Sequence, residues 1–427
     1  MRFSHILIAL VAAVAMAEQY AIVFGTADGW GNYSITSEPC RVWADLVKGG
    51  VKPENIIMMA YDNNVSSDRN PFKNMIFTDP ADNTDGDWIK SGCYEHIDYT
   101  DKQMNPDVFL GVLSGNAERV KAKTGIENPK VLAAGPEDTV FSYYIDHGNT
   151  DLIMVGLYGV NGKQLVDAIK EAHEKNLYGK WVFFMEACHS GSMFRSLPED
   201  INVYVMTSSD ADHNAKMCNC PPNDYIEDKH IGVCMGGLWD NSYLSYLEQN
   251  PDCTIGEMVD AVMADVKKTS DQNVCEFGDK SFRDLKAAEF MGQLPKSSFR
   301  TSSKKQEGIV DYADVPTHLA MWKAIRADKN DLAAALKEYQ EEKFAAAKRE
   351  VEVMRLGRML MNEKAADNAL KAPAEAYNAN CVRDLSILLV EKCGHTFPFS
   401  ESANNMLRNI CLPGMSVPNV DFNEICM

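Results

Sequence analysis

Short apolar runs alternate with amphipathic stretches along the first half of this 427-residue chain. Five of the apolar runs are rich in β-branched or aromatic residues, which is typical of strands buried on both faces of a parallel sheet. They cover residues 20–26, 55–61, 139–145, 180–185 and 202–207. Between them, residues 40–47 and 163–173 carry apolar positions at helical spacing. The alternation predicts an α/β fold, in which a mostly parallel sheet has helices on both faces.

The second half of the chain is predicted to be helical, with one polar interruption. Residues 240–265 and 331–370 have helical patterns, whereas residues 293–317 are polar and basic and contain two prolines, as exposed linkers do. Apolar residues recur at roughly helical spacing in the longer helical stretch: Leu332, Leu336, Tyr339, Phe344, Val351 and Leu356. Such a stripe needs a partner surface.

The first residues have the pattern of a secretory signal peptide. Arg2 precedes an apolar core over residues 6–14, and Ala15-Met16-Ala17 supplies a small-x-small cleavage site. We expect residues 1–17 to be removed and the chain to reach a lysosome-like acidic compartment or the outside of the cell. A short N-terminal anchor is the alternative. No later segment is apolar over about 18 residues, so no membrane span is predicted in the mature chain.

Composition narrows the function further. The hydrophobic content of 45% is that of a globular protein, and a net charge of −19 argues against nucleic acid as a partner. Asn64-Val65-Ser66 is a glycosylation sequon, and we expect Asn64 at the surface. We predict no cofactor and no metal, because the candidate zinc ligands fit no common zinc spacing. Those candidates are His213, Cys218, Cys220 and Cys234.

Twelve cysteines in a secretory chain predict disulfides. Four of them, Cys381, Cys393, Cys411 and Cys426, form an even set near the C-terminus. We expect two disulfides there, and the sequence by itself leaves three possible pairings.

Reactive side chains follow two of the predicted strands. Asp146-His147-Gly148 follows one strand, and Glu186-Ala187-Cys188 follows the next. The carboxyl ends of parallel strands meet at one edge of a sheet, so His147 and Cys188 are expected to face each other there. A neutral His147 can take the thiol proton and create a nucleophile, and Gly148 lets a backbone N–H approach an oxyanion. The alternatives for Cys188 are a buried core thiol or a disulfide.

The segments YYIDHG and FFMEACHSGSM, in this order, resemble those of the legumains, the asparaginyl endopeptidases of the caspase-like cysteine-peptidase clan. The resemblance runs from residue 20 to about 290 and resumes near the C-terminus. It implies a caspase-like peptidase domain at 18–290, a linker or activation segment at 291–330, and a small all-α, disulfide-linked prodomain at 331–427. It also implies the pairs Cys381–Cys411 and Cys393–Cys426.

By position, the resemblance makes Cys188 the nucleophile and His147 the base. Asn32 then orients the histidine, and Gly148 lies in the oxyanion hole. Glu186 corresponds to a carboxylate of the pocket for the residue before the scissile bond, and a carboxylate can accept both N–H groups of an asparagine amide.

Two positions depart from the family pattern, and a third, which matches it, has two possible roles. Ser34 stands where the family has an arginine that meets the substrate amide oxygen, and Leu238 stands where it has an acid. A strict preference for asparagine is therefore in question. Asp146 matches an aspartate that the family links to peptide ligation, but a hydrogen bond at the strand end is its simpler role.

Taken together, the resemblance implies a thiol protease made as a zymogen, which cuts peptides and proteins after asparagine, with aspartate as a further candidate. Its own prodomain would act as an intramolecular inhibitor. Acid would protonate carboxylates between prodomain and core and so weaken their contact. Autoactivation would cut after Asn330, whose alternative role is to cap the N-terminus of a helix. Rival hypotheses are a glycolipid-anchor transamidase, a peptide ligase on the same scaffold, and a catalytically impaired binding homologue.

Overall fold

The computed structural model describes residues 17–82, 87–295 and 307–426. The predicted signal peptide lies outside these residues except for Ala17, and so does part of the predicted linker. Among the described residues, no helix combines the length and the apolar character that crossing a membrane requires.

A six-stranded sheet forms the centre of the fold. Its strands follow in the order Cys275–Gly278 (β13), Val203–Thr207 (β8), Lys180–Glu186 (β7), Thr139–Ile145 (β3), Gln19–Gly25 (β1) and Ile56–Met59 (β2). Only β13, at one edge, is antiparallel to its neighbour. All five predicted strands are confirmed to within two residues at either end, while β13 was not predicted. The strands are β1 Gln19–Gly25, β2 Ile56–Met59, β3 Thr139–Ile145, β4 Gly148–Asn149, β5 Leu152–Val155, β6 Tyr158–Val160, β7 Lys180–Glu186, β8 Val203–Thr207, β9 Lys216–Cys218, β10 Tyr225–Ile226, β11 Lys229–His230, β12 Gly236–Gly237, β13 Cys275–Gly278 and β14 Val310–Asp311.

Helices cover both faces of this sheet, as predicted, because alternate residues of its strands feed two separate cores. Ala21 and Val23 of β1 join the core on one face, and Ile22 and Phe24 join the core on the other. The helices are α1 Tyr33–Lys48, α2 Pro106–Leu113, α3 Ala117–Thr124, α4 Gly162–Glu174, α5 Leu238–Gln249, α6 Ile255–Lys267, α7 Ala288–Met291, α8 Val315–Arg326, α9 Leu332–Leu360, α10 Glu363–Ala369, α11 Ala379–Cys393, α12 Glu401–Ile410 and α13 Phe422–Ile425. The first face carries α1, α5 and α6, and the second carries α2 and α4.

The region predicted as an exposed linker is structured where it is described. Strand β14 pairs with β9, so Val310 lies opposite Met217. Tyr312 and Val315 are buried in a small cluster with Cys188. The expectation of an exposed linker was wrong for these residues, because a polar and basic composition over residues 293–306 concealed the apolar anchors that follow.

The predicted long helix and its apolar stripe are only partly as expected. The helix ends at Leu360 and resumes as α10. Leu356 is fully buried in the core of the C-terminal helices, whereas Leu336 and Phe344 are 43% and 68% exposed. The reason is that only the second half of α9 packs into that core.

Four disulfides join described residues. The pairs Cys381–Cys411 and Cys393–Cys426 are confirmed. The pairs Cys40–Cys93 and Cys220–Cys234 were not predicted, and the second removes two thiols from the zinc set considered above. Asn64 is also not at the surface, since its side-chain amide donates to Gly29 and Thr36 inside the fold.

Candidate active site

Strands β3 and β7 bring His147 and Cys188 to the same edge of the sheet. The two strands are parallel neighbours, and Ile145 lies opposite Glu186. His147 and Cys188 each follow this pair by two residues, so they leave the sheet at the same level. Gly148 fits tightly there, because a Cβ at its position would lie 2.5 Å from the Cys188 carbonyl oxygen.

The imidazole of His147 is held by Asn32. Its Nε2 lies 3.0 Å from Oδ1 of Asn32, whose Nδ2 donates to the Asp28 carbonyl at 2.8 Å. The amide oxygen can only accept, so Nε2 carries the proton and Nδ1 offers its lone pair. Nδ1 is covered and has no hydrogen-bond partner among the described residues. Loss of solvent lowers the pKa of His147 to about 4, so the ring is neutral above that pH.

Cys188 is buried in this form of the chain. It is 1% exposed and shares its small apolar cluster with Ala215, Met217 and Tyr312. Burial raises the pKa of its thiol well above the usual value, and the negative charge of Asp311 adds to the effect. The sulfur therefore stays protonated until the cluster opens and a base takes the proton.

Three fully buried carboxyl groups meet beside this edge: Glu38 of α1, Glu186 at the end of β7, and Asp240 of α5. Strand β12, which consists of two glycines, packs its backbone against these carboxyl groups. A Cβ on Gly237 would lie 2.5 Å from Oδ2 of Asp240 and 3.0 Å from Oε1 of Glu186. We call these three residues the carboxylate pocket.

Hydrogen bonds fix two members of the carboxylate pocket. The Gly237 N–H donates to Oε1 of Glu38 at 2.6 Å, and the Tyr143 hydroxyl donates to Oδ1 of Asp240 at 2.9 Å. Burial raises the pKa of Asp240 to about 7. It also raises the pKa values of Glu38 and Glu186 well above the usual value, and for these two groups repulsion from the neighbouring carboxylates adds to the effect.

Sequence reasoning found Glu186 and missed the other two members. The sequence indicated that the family's acid is lost, with Leu238 in its place. Asp240, two residues further along, brings a buried carboxyl group to this site, while Leu238 packs in the core. Glu38 lies four residues after Ser34 and therefore on the same face of α1. That spacing was a usable signal. Ser34 itself is buried, and its hydroxyl lies 3.7 Å from Sδ of Met217.

Asp146 and His189 are the sequence neighbours of His147 and Cys188, and their side chains make contacts of a different kind. Asp146 accepts from the Thr26 hydroxyl at 2.5 Å and from the His147 N–H at 2.6 Å, which is the strand-end role. Burial raises its pKa to about 8. His189 points away from Cys188, toward Arg408 and Asn404 of α12. Asn330 lies exposed in the turn between α8 and α9, and Asp331 holds the N-cap position of α9.

Comparison with known proteins identifies the family. Residues 19–293 match the sequence profile of the Peptidase C13 family. The chain belongs to the peptidase C13 family. This C13 chain is 27% identical over 420 residues to the vacuolar-processing enzyme beta-isozyme 1 of Oryza sativa subsp. japonica, which covers 93% of this chain and 82% of that protein. It is 30% identical over 283 residues to the legumain of Mus musculus, and this match covers 66% of the present chain and 61% of that protein.

Membership of this family makes the chain a cysteine endopeptidase that acts on protein substrates. The resemblance to legumains is thereby confirmed. A crystal structure of Caspase-1 from Spodoptera frugiperda matches 61% of the C13 chain and 86% of its own, with 10% identity and a TM-score of 0.32. The fold assignment rests on the mostly parallel sheet, its helices and the disulfide-linked C-terminal helices described above.

The Asn32→Ala change tests how the imidazole is held. Without the amide acceptor, the ring loses its fixed tautomer and orientation, and we expect kcat to fall by about 100-fold with KM nearly unchanged. Steady-state kinetics on a peptide substrate measures both constants. Asn63→Ala is the matched control, because Asn63 is an exposed neighbour that reaches only Asp28. An unchanged kcat in Asn32→Ala contradicts the orienting role.

Proposed function

We propose that this chain is a latent, legumain-like endopeptidase in which His147 activates Cys188. Nδ1 of His147 takes the thiol proton, and the thiolate attacks the carbonyl carbon of the scissile bond. The Gly148 N–H stabilises the resulting oxyanion. The amine leaves with the proton from His147, and water then hydrolyses the thioester with His147 again as base. The observation that carries this proposal is the covered, unpaired Nδ1 of an imidazole whose Nε2 is held by Asn32.

The proposed latency rests on what covers the catalytic edge. Tyr312 packs its ring edge-on against His147, with centroids 6.0 Å apart, and joins the buried cluster of Cys188. The C-terminal helices reach the same edge: Ser386 of α11 hydrogen-bonds Asn149 at 3.1 Å, and Asn404 of α12 hydrogen-bonds His189 at 2.9 Å. A substrate backbone has to displace Tyr312 before its carbonyl can meet the sulfur.

The pocket before the scissile bond is proposed to take a side chain that donates hydrogen bonds. Glu186 is the acceptor, and asparagine is the side chain that the family resemblance suggests, with aspartic acid as a further candidate. We propose that activation cuts the exposed turn at Asn330, and that the chain works in an acidic compartment of the secretory pathway or after secretion, as the name of its vacuolar-processing relative suggests.

Acid incubation of the full chain tests latency and self-processing together. We expect cleavage within the turn at Asn330 at pH 4–5.5 and little at pH 7.5, accompanied by a rise in activity on peptide libraries. Intact-mass spectrometry identifies the bond that is cut. The Cys188→Ser chain is the control and should remain whole. A wild-type chain that stays intact and inactive for hours at acid pH contradicts self-activation, and cleavage in both chains shows a contaminating protease.

A further inference from the structure

The carboxylate pocket has no cation of its own. Among the described residues, no arginine, lysine or histidine forms an ion pair with Glu38, Glu186 or Asp240. Arg41 is the nearest candidate, but its guanidinium donates to Asn241 at 2.7 Å and Glu248 at 3.1 Å. The family's arginine is replaced by Ser34. Buried carboxylates are costly without a compensating positive charge or donors, so this pocket is built for a partner that brings both.

Glu186 shows where that partner would bind. Its carboxylate is fully buried, and neither oxygen makes a hydrogen bond of good geometry to the described residues, although Ser208 lies close enough to offset a little of the burial effect on its pKa. Glu186 ends β7 two residues before Cys188. Its unpaired oxygens therefore belong to the same strand end as the reacting sulfur, and the charge of Glu186 contributes to the raised pKa of the Cys188 thiol.

Tyr312 supplies an independent sign that the pocket takes a donor. It is 6% exposed, and its hydroxyl has no hydrogen-bond partner among the described residues. The negative charges of Glu186, Glu38 and Asp240 add to burial in raising the pKa of this hydroxyl well above its usual value. The ring packs beside His147 and in the buried cluster of Cys188, so a substrate has to displace this unpaired donor to reach the sulfur.

We propose that the carboxylate pocket selects a cationic side chain, arginine or lysine, before the scissile bond in preference to asparagine. This specificity rests on the peptidase function proposed above, but it replaces the asparagine preference that the family resemblance suggests. Activation cleavage in the turn between α8 and α9 would then follow Lys329 rather than Asn330. A guanidinium or ammonium group supplies positive charge and only donors, which three converging carboxyl groups can accept. An asparagine amide supplies two donors and no charge, and its oxygen would point at carboxylates where the family offers an arginine. Glu38 and Asp240 are the specificity residues that the family pattern did not reveal.

Covalent probes that differ only at this side chain test the specificity. The full chain, preincubated at acid pH, and the full Tyr312→Gly chain are treated with peptidyl acyloxymethyl ketones that carry arginine, citrulline, lysine, norleucine or asparagine. Citrulline is the neutral counterpart of arginine, and norleucine is that of lysine. Labelling of Cys188 is followed by mass spectrometry. We expect the arginine probe to react at least about 100-fold faster than the citrulline probe, and the asparagine probe to be slower than either cationic probe.

Variants of the pocket locate the effect. Asp240→Asn and Glu38→Gln keep the size of the side chain but remove its ability to ionise against a cation, and each should shrink the arginine-to-citrulline ratio by about 10-fold or more. Ser34→Arg places a cation beside the pocket and should shift the preference toward asparagine. Glu54→Gln is the control, because Glu54 lies on the exposed turn before β2 and should leave the ratio unchanged.

The outcomes separate this inference from the function on which it depends. Faster labelling by the asparagine probe, or equal rates with arginine and citrulline, overturns the cationic specificity and leaves the peptidase function standing. The cationic specificity is also overturned, and the peptidase function retained, if three results coincide: iodoacetamide labels Cys188, no peptidyl probe labels it, and a peptide library is cleaved. Failure of every probe and of iodoacetamide to modify Cys188, with no peptide cleaved, overturns the peptidase function itself.

Discussion

Replacement of Cys188 by serine is expected to abolish peptide-bond hydrolysis, with kcat falling by roughly four orders of magnitude or more. The reason lies in the nucleophile. A serine hydroxyl is a far weaker acid than a thiol, so His147 cannot activate it to a comparable extent. Binding should persist, because the carboxylate pocket and the Gly148 N–H are unchanged.

The control for this substitution is another free cysteine. Cys275 lies half-buried on β13, at the far edge of the sheet, and Cys275→Ser should retain full activity. Steady-state hydrolysis of a peptide library, after both chains have been exposed to acid in the same way, measures the difference. Activity above about 1% of wild type in Cys188→Ser would show that another residue is the nucleophile.

Acid is expected to release the C-terminal helices from the peptidase core through His189. The ring of His189 is fully buried, with Nδ1 3.0 Å from Arg408 and Nε2 2.9 Å from the Asn404 amide. Burial, with the charge of Arg408 and a smaller effect of His213, lowers its pKa to about 3, against an opposing effect of Asp210. When the helices leave, the histidine regains an ordinary pKa near 6.5.

The direction of the pH effect on docking depends on whether the docked or the released form binds the proton more tightly. Between about pH 6.5 and pH 3, the released form takes up a proton that the docked form excludes, so docking weakens by about 1.4 kcal/mol for each pH unit in that window. Asp151 acts in the opposite direction. Burial raises its pKa despite its ion pair with Arg383 at 2.8 Å, so acidification favours the docked form through this group. We therefore do not expect Asp151 to be among the carboxylates that trigger release, and we expect His189 to supply the pH dependence.

His189→Asn tests this trigger. Asparagine tolerates the left-handed backbone of this position (φ 55°) and removes the titrating group. We expect the pH midpoint of release to fall by at least about one unit. Hydrogen exchange of α12 between pH 7 and pH 3.5, in the Cys188→Ser background to prevent processing, measures the midpoint. His173→Asn on α4 is the control, and a midpoint that is the same in both variants rules His189 out as the trigger.

The catalytic pair and the carboxylate pocket differ in how far the sequence could reveal them. His147 and Cys188 each follow a strand whose apolar composition identifies it, and parallel pairing then brings strand ends together whatever the details of the loops. Asp240 and Glu38 lie on two helices far apart in the chain, and they meet only because α1 and α5 pack on the same face of the sheet. Alignment to one family motif put Leu238 at the position of the acid and so indicated that the acid is lost, because a motif carries no information on which face of a helix turns inward.

The segment that covers the site shows the same limit. Residues 293–317 have the composition of a linker, and their average polarity hides Tyr312 and Val315, two anchors that become buried beside Cys188. A local pattern cannot show that an isolated aromatic residue such as Tyr312 is buried, because its burial depends on packing against β9. Nor can it show that a histidine such as His189 responds to acid, because that depends on packing against α12.

What the sequence alone determined was the α/β sheet, the C-terminal disulfides once the family was recognised, and the family with its cysteine and histidine, because these depend on local periodicity and short motifs. The tertiary structure alone decided the convergence of Glu38, Glu186 and Asp240, the burial of Tyr312 beside Cys188 and the burial of His189 against Arg408. Each of these depends on desolvation and on charges brought together from distant parts of the chain, and desolvation exists only once the chain has packed.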